Sequence, residues 1–344
     1  MAEKWYIANG NQGDIILSSR VRLARNLVDF PFPCRISPEE AQRLDEVIVK
    51  ALSDFPGEKL HAVRMSDLTM HRAVSLAEKH FISPEFTDPA PGRMLILSDQ
   101  EDISIMVCED DHLRIQTMCA GFAIDEAYQA ASAVDDHLDR RVQYAFDERL
   151  GYLTQSPTGL GTAMRASFML HLPALSQNWE ISRLATTIGK LGLSIRGSYG
   201  ESGVAKGDIY VLSNQVTLGI SEKAALDNLK AIALQLATRE RAARDEMEKN
   251  VAFADRIHRA YGILNSARMV SSEEMMELLS LVRLGAVAGT VPVRLETVNE
   301  LMATLQPASM NADYDENMDA AARDALRADR IRARFADDLQ NQSR

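Results

Sequence analysis

The spacing of apolar residues changes once along this chain, near residue 221, and that change bounds what it can fold into. Upstream, short β-type runs alternate with helical stretches and Gly-containing loops; downstream, every apolar pattern is helical. Ser37-Pro-Glu-Glu40 places a Ser cap, a first-turn Pro and a capping-box Glu before Leu44, Val47, Ile48 and Leu52, which predicts a helix over 37–53. Arg93–Ser98 and Ile103–Cys108 flank Asp99-Gln-Glu-Asp102 and read as a hairpin. Helical stretches are expected over Ala123–Leu150 and over 163–171, with further strands at Leu193–Tyr199 and Asp208–Asn214. The downstream helices are expected at 222–249, 251–268, 272–287, 292–306 and 317–340, with Asn311–Asn317 as a polar connector. Hairpin-linked strands with grouped helices predict an α+β fold: an antiparallel sheet flanked by helices, followed by an all-helical C-terminal domain. The two parts would hold roughly 240 and 100 residues, within the usual range for domains.

Composition narrows the function. With 38 basic and 49 acidic residues the 344-residue chain carries a net charge of −11, which disfavours generic binding to nucleic acid or anionic membrane. Cys34, Cys108 and Cys119 show no CxxC spacing, which argues against both a zinc site and a disulfide framework. Met1–Asp14 lacks the pattern of a secretion signal and no apolar run is long enough to span a membrane, so a cytoplasmic protein is expected. Of the 38 basic residues 29 are Arg. Codon bias explains such a ratio, and so does selection for forked contacts to phosphate or carboxylate, which Lys cannot make.

Four segments bear on that choice. Ser18-Ser-Arg-Val-Arg22 puts two Arg on one side of an extended strand, an arrangement that many surface strands also show. Glu109-Asp-Asp-His-Leu-Arg114 follows the hairpin and sets three carboxylates beside one Arg; a solvated acidic turn is the ordinary reading of such a run. Ser156-Pro-Thr-Gly-Leu-Gly-Thr-Ala-Met-Arg165 is a tight loop expected to enter a helix and offer N–H groups to an anion, without the GK[ST] ending of a P-loop. Arg196-Gly-Ser-Tyr-Gly-Glu201 is a second Gly-rich loop and does not fit GxGxxG. Together Arg20, Arg22, Arg114, Arg165 and Arg196 could neutralise a polyphosphate while carboxylates hold a cationic acceptor. One such contact at 4 Å amounts to about 4 kcal/mol at an effective dielectric of 20.

SSRVR, EDDHLRIQ, SPTGLGTAMRAS and RGSYGE, in this order, resemble the ATP:guanidino phosphotransferases, the family of arginine and creatine kinases. The resemblance covers roughly residues 12–245 and implies an antiparallel catalytic sheet, consistent with the pattern above. A helical domain over 246–344, following the catalytic part instead of preceding it, resembles the bacterial protein-arginine kinase branch. Arg323-Asp-Ala-Leu-Arg-Ala328 fits that branch's RDxxRA motif, which implies an allosteric phosphoarginine site at Arg323, Asp324, Arg327 and Ala328. By itself the hexapeptide is an ordinary salt-bridged helix face.

Carried over by position, Ser18, Ser19, Arg20, Val21, Arg22, Arg114, Arg165 and Arg196 would bind ATP. Ala166, Ser167, Phe168 and Met169, with Gly197, Ser198, Tyr199, Gly200 and Glu201, would line the same pocket, and His80 resembles a nucleotide-contacting His. Glu201 would grip the guanidinium and Asp110 would orient it and take its proton, with Ser156 beside them; Mg²⁺ would ride on the phosphates, without protein ligands of its own. The chain departs from the family at three acceptor-side positions. Asp110 replaces Glu, retracting the carboxylate by about 1.5 Å, a displacement that can cost about 10²-fold in rate. Ser156 and Gly159 stand where the family has Cys and Asn. The implied function is ATP-dependent phosphorylation of arginine in proteins, marking them for Clp-type degradation or inactivating stress regulators, by a homodimer with an activating adaptor. The alternatives are a catalytically weak adaptor that binds nucleotide and phosphoarginine, and a kinase of a free guanidino metabolite.

Overall fold

A computed structural model describes residues 3–198 and 205–342. Its centre is an eight-stranded antiparallel sheet in the order β2-β3-β4-β5-β1-β8-β10-β9. The strands are β1 Ile16–Arg25, β2 Leu60–Arg64, β3 Met94–Ser98, β4 Ile103–Val107, β5 Leu113–Ala120, β8 Met164–His171, β9 Leu193–Gly197 and β10 Ile209–Asn214. A separate small hairpin pairs β6 Phe146–Asp147 with β7 Gly151–Tyr152. Helices α1 Pro38–Leu52, α3 Ile124–Asp139 and α6 Glu222–Glu248 pack with the sheet around one large apolar core. The expected capping box of α1 is present, with Ser37 and Glu40 bonding each other's backbone N–H.

Two helix expectations fail. Residues 163–171 form the central strand β8, buried between β1 and β10, not a helix. Met164, Ala166 and Phe168 face the core in alternation with Arg165 and Ser167, a short period-2 pattern set among residues of good helix propensity, and pairing on both edges decides for the strand. The loop before it therefore enters a strand and not a helix. The stretch Ala123–Leu150 is helical only to Asp139; beyond it, alternating Val142, Tyr144 and Phe146 lead into the β6–β7 hairpin.

The C-terminal part is helical: α7 Val251–Ser266, α8 Ser272–Val287, α9 Leu295–Thr304, α10 Pro307–Tyr314 and α11 Ala320–Gln342, around a second apolar core. The expected connector at 311–317 begins as the end of α10. That helix starts with Pro307, and the Glu78 carboxylate at the end of α2 Met70–Glu78 accepts the Ala308 N–H at 2.9 Å and the Ser309 N–H at 2.7 Å. No short-range pattern announces a cap supplied from residues so distant in sequence.

A buried polar knot joins the two parts. Arg283 of α8 donates to Asp14 O at 2.8 Å and to His171 Nδ1 at 3.1 Å. Arg244 of α6 donates to Glu240 Oε1 at 2.7 Å and to His171 O at 2.9 Å. Ser280 Oγ donates to Asp208 Oδ2 at 2.8 Å and so accepts, at 2.9 Å, from His171 Nε2. The imidazole is thus neutral with its proton on Nε2; burial, then Arg283 and Arg244, hold its pKa far below the usual value.

Candidate active site

Strand register gathers the arginines. Arg20 and Arg22 lie two apart on β1; Arg22 pairs with Arg165 across to β8, and Ala24 pairs with Arg114 on β5. Because strand residues alternate in direction, these four side chains rise from one face, with Arg196 of β9 on the same side through Val211, Met169 and Ser18. Burial, then Arg114 and Arg165, lower the Arg20 pKa to about 10. Burial lowers Arg22 further, reinforced by Arg20, Arg114 and Arg165. Arg165 is lowered by burial, Arg114 and Arg196. Arg20, Arg22, Arg114 and Arg165 are thus close enough to repel one another, and Arg196 adds to the repulsion at Arg165. Arg20 Nε also donates to Ser167 Oγ at 3.2 Å.

The acidic segment splits by role. Glu109 is buried, accepting from Ser83 Oγ at 2.6 Å and from the Arg114 guanidinium at 2.5 Å. Asp111 Oδ1 is also buried and accepts from Asn26 Nδ2 at 2.6 Å and Gln155 N at 2.8 Å. His112 accepts from Leu27 N at 3.0 Å and bonds Pro31 O at 2.7 Å. Only Asp110 turns outward, 3.1 Å from Arg114 Nη2, so the run is not a solvated turn but two structural anchors around one presented carboxylate.

Arg22, Asp110, Arg114 and Arg165 line one cleft of about 320 Å³ together with Thr154, Ser156, Thr158, Gly159 and Thr217. Ser156 Oγ shares a 2.8 Å hydrogen bond with Thr158 Oγ1. A Cβ at Gly159 would stand 2.7 Å from Thr154 Oγ1, so Thr154 fills the space that a side chain at 159 would need. Asn26, Thr154 and Thr217 were not singled out from the sequence, because isolated Asn and Thr residues in loops carry no spacing signal; Asp111 was read only as part of the carboxylate run, with no role of its own.

Other expected residues are placed differently. Val21, Ala166 and Phe168 are fully buried on the opposite face of the sheet, in the core, and Ser19 Oγ is spent on Gly121 O and the Ala123 N–H. These four support the arginine-bearing strands and do not reach the cleft with their side chains. Ser18, His80 and Met169 line a neighbouring small cavity instead. Burial, then Arg20, lower the His80 pKa to about 3, so its ring is neutral. Gly197 ends β9 and Ser198 is buried beside it. Tyr199, Gly200 and Glu201 lie outside the described residues.

On α11, Arg327 is fully buried, donating to Leu305 O at 2.9 Å, Val270 O at 2.8 Å and Asp324 Oδ1 at 2.6 Å. Ala328 is buried beside it, whereas Arg323 and Asp324 remain partly exposed. Among the described residues no cluster of His, Cys, Asp and Glu could hold a metal, and no helix is long and apolar enough to cross a membrane.

An antiparallel sheet with a cleft lined by Arg22, Arg114 and Arg165 suits a phosphotransferase, the class to which comparison with known proteins assigns the chain. Residues 43–243 match the ATP:guanido phosphotransferase C-terminal catalytic domain, and the chain belongs to that family. Residues 250–344 match the C-terminal domain of the protein-arginine kinase McsB. The chain is 44% identical to a protein-arginine kinase of Symbiobacterium thermophilum, over 97% of this chain and 96% of that one. It is 41% identical to a protein-arginine kinase of Caldanaerobacter subterraneus subsp. tengcongensis, over 92% and 96% of the two chains. Among solved structures, the duplicated taurocyamine kinase of Schistosoma mansoni superposes with a TM-score of 0.60 at 25% identity, covering 70% of this chain and 34% of that one. The chain thus spans about a third of that duplicated enzyme.

Proposed function

We propose that this chain is a protein-arginine kinase, transferring the γ-phosphoryl group of ATP to arginine side chains of proteins. The observation that carries the reading is that Arg22, Arg114 and Arg165 line one cleft that also presents Asp110, with Arg20 and Arg196 on the same face of the sheet. Such a self-repelling face fits a polyphosphate, whose charge it neutralises by forked contacts. Arg20, Arg22, Arg114, Arg165 and Arg196 would hold the phosphates. Mg²⁺ would be held by those phosphates and would add charge neutralisation when bound.

Asp110, together with Glu201, would orient the acceptor guanidinium. A guanidinium nitrogen attacks the γ-phosphorus in line as the bridging P–O bond breaks; its proton passes to carboxylate, and ADP leaves. Arg114 touches both halves of this arrangement, pairing with Asp110 while facing the phosphate site. ATP that recruits Arg114 releases Asp110 toward the acceptor.

The RDxxRA segment would serve as a phosphoarginine sensor. Partly exposed Arg323 meets the phosphoryl group and Asp324 the guanidino end, while Arg327 anchors the helix. Cytoplasmic action as a homodimer, an activating adaptor, delivery of marked proteins to Clp-type proteases and inactivation of stress regulators complete the reading.

Incubation with ATP and an unfolded protein, followed by mass spectrometry for phosphoarginine, tests it. Labelled arginine in the protein is the expected result. Acid-labile phosphate on free arginine alone would make it a metabolite kinase, and ATP binding without any modified acceptor would make it an adaptor.

A further inference from the structure

The Glu78 carboxylate takes three hydrogens at the start of α10: besides the Ala308 and Ser309 N–H groups it accepts from Ser309 Oγ at 2.8 Å. The next two residues, Lys79 and His80, line the small cavity that Ser18 and Met169 border from the sheet, and α9 contributes Asn299 and Met302 to the same cavity. Ser18 and Arg20 lie two apart on β1, so this cavity adjoins the arginine face. Helices α9 and α10 join at Leu305 and Gln306. That elbow is held from behind by Arg327, which donates to Leu305 O at 2.9 Å, and from within by Gln306 Nε2, which donates to Met302 O at 2.8 Å. One elbow therefore both walls the cavity and receives Glu78. His80 needs such support. Its backbone is left-handed, with a φ of 60°, a conformation that is unfavourable for a residue with a Cβ and persists where the surroundings impose it. One tether comes from the sheet, where Gln116 Nε2 donates to His80 O at 2.8 Å and Gln116 pairs with Arg22. The other is Glu78, two residues earlier, tied to the helical part.

We propose that Glu78 is a positioning residue of the nucleotide site: by capping α10 it makes the helical domain set the end of α2, and with it Lys79 and His80, beside the phosphate-binding arginines. The inference rests on the kinase reading above, with Ser18, His80 and Met169 meeting ATP, and deepens it. Glu78 itself touches no substrate. The arginines are fixed by strand pairing within the sheet, whereas the wall formed by Lys79 and His80 takes its position from a second domain. Loosening that wall weakens the grip on ATP and leaves the alignment of Asp110 with the acceptor as it was.

The test compares the full wild-type chain with Glu78→Ala, Glu78→Gln and Asp315→Ala. Asp315 pairs with His71 at 3.5 Å and Arg72 at 3.2 Å across the same two helices, at the start of α2, so its loss weakens the contact without freeing the end of α2. ATP affinity is read by calorimetric titration, kcat and KM by phosphoarginine formed on β-casein, and stability by thermal melts. Expected for Glu78→Ala are an about tenfold weaker ATP affinity and a matching rise in the KM for ATP, with kcat within about twofold. Glu78→Gln keeps one acceptor oxygen and loses the charge, so it should fall between; it decides by the same criteria if the alanine variant does not fold. Asp315→Ala should keep its ATP affinity whatever its melting temperature. Unchanged ATP affinity in the Glu78 variants overturns the proposal, and so does an equal loss in Asp315→Ala, which would make the helix contact merely structural. A chain whose ATP affinity depends on Glu78 but which phosphorylates nothing would uphold the positioning role and remove the kinase reading instead.

Discussion

At the scale of single residues, the site is built at the expense of the fold. Arg22 is held well below its normal basicity by burial and three neighbouring guanidinium groups, so its charge opposes folding while no anion is present. Arg22→Met should raise the melting temperature of the nucleotide-free protein, by about 1 kcal/mol of stability, and lower ATP affinity at least about 100-fold. Thermal melts with and without ATP would show both, and a destabilised apo variant would contradict the argument. Asp110→Asn keeps the shape and removes the charge; kcat should fall about 10²–10³-fold with ATP affinity nearly unchanged, as read by nucleotide titration. These residues were legible in the sequence because Arg at i and i+2 on a strand and a carboxylate run at a strand end are chemical patterns. Which carboxylate of Glu109-Asp-Asp111 faces the cleft was not legible, because it depends on Ser83, Asn26 and Gln155 arriving from elsewhere.

At the scale of elements, the acceptor side is positioned by one buried connection. Asn26 at the end of β1 donates to Asp111 and, at 2.9 Å, to Leu153 O, and it accepts from His112 N at 2.9 Å. It thereby ties the Asp110 turn to the loop carrying Thr154 and Ser156. Asn26→Ala should cost about 2–3 kcal/mol of stability, since it removes the partner of Leu153 O and His112 N and one of the two donors to the buried Asp111 carboxylate, and should lower kcat more than it raises the KM for ATP. Equal losses in both parameters would point to general unfolding. On α11 the roles divide similarly. Arg327→Ala should destabilise the helical part by about 2–4 kcal/mol, leaving two carbonyls and Asp324 without their donor. Asp324→Ala should weaken phosphoarginine binding and leave ATP affinity alone, which calorimetric titration with each ligand would separate. Helix positions were readable where caps are local, as at Ser37 and at Ser271, whose side chain accepts from Glu274 N. They were misread where tertiary pairing decides, as for β8, whose Met-Arg-Ala-Ser-Phe-Met-Leu-His sequence is a strand only because β1 and β10 lie on either side.

At the scale of the whole molecule, the two parts meet around neutral histidines, and this sets the response to acid. An unfolded His takes up a proton near pH 6.5, whereas His80 resists until about pH 3 and His171 far below its usual value. Protons therefore favour the unfolded chain throughout that window: stability is complete above pH 6.5 and declines as pH falls below it, by up to about 1.4 kcal/mol per pH unit for each ring. Melting curves between pH 7.5 and 5 should show this slope. A His171→Asn variant should show a shallower one, and an unchanged slope would remove His171 from the account. The division into a sheet-based part and a helical part was visible from the change of period near residue 221; the knot of Asp14, His171, Arg244, Ser280 and Arg283 that joins them was not, because its members are spread over some 270 positions.

The crowding of like charges on the sheet has a further consequence. Any ligand that relieves repulsion only in the native state shifts the folding equilibrium by mass action, so the cell's adenylate supply becomes a determinant of this protein's lifetime. Energy starvation would then deplete the catalyst itself as well as its fuel, coupling how much enzyme survives to how much phosphoryl donor remains.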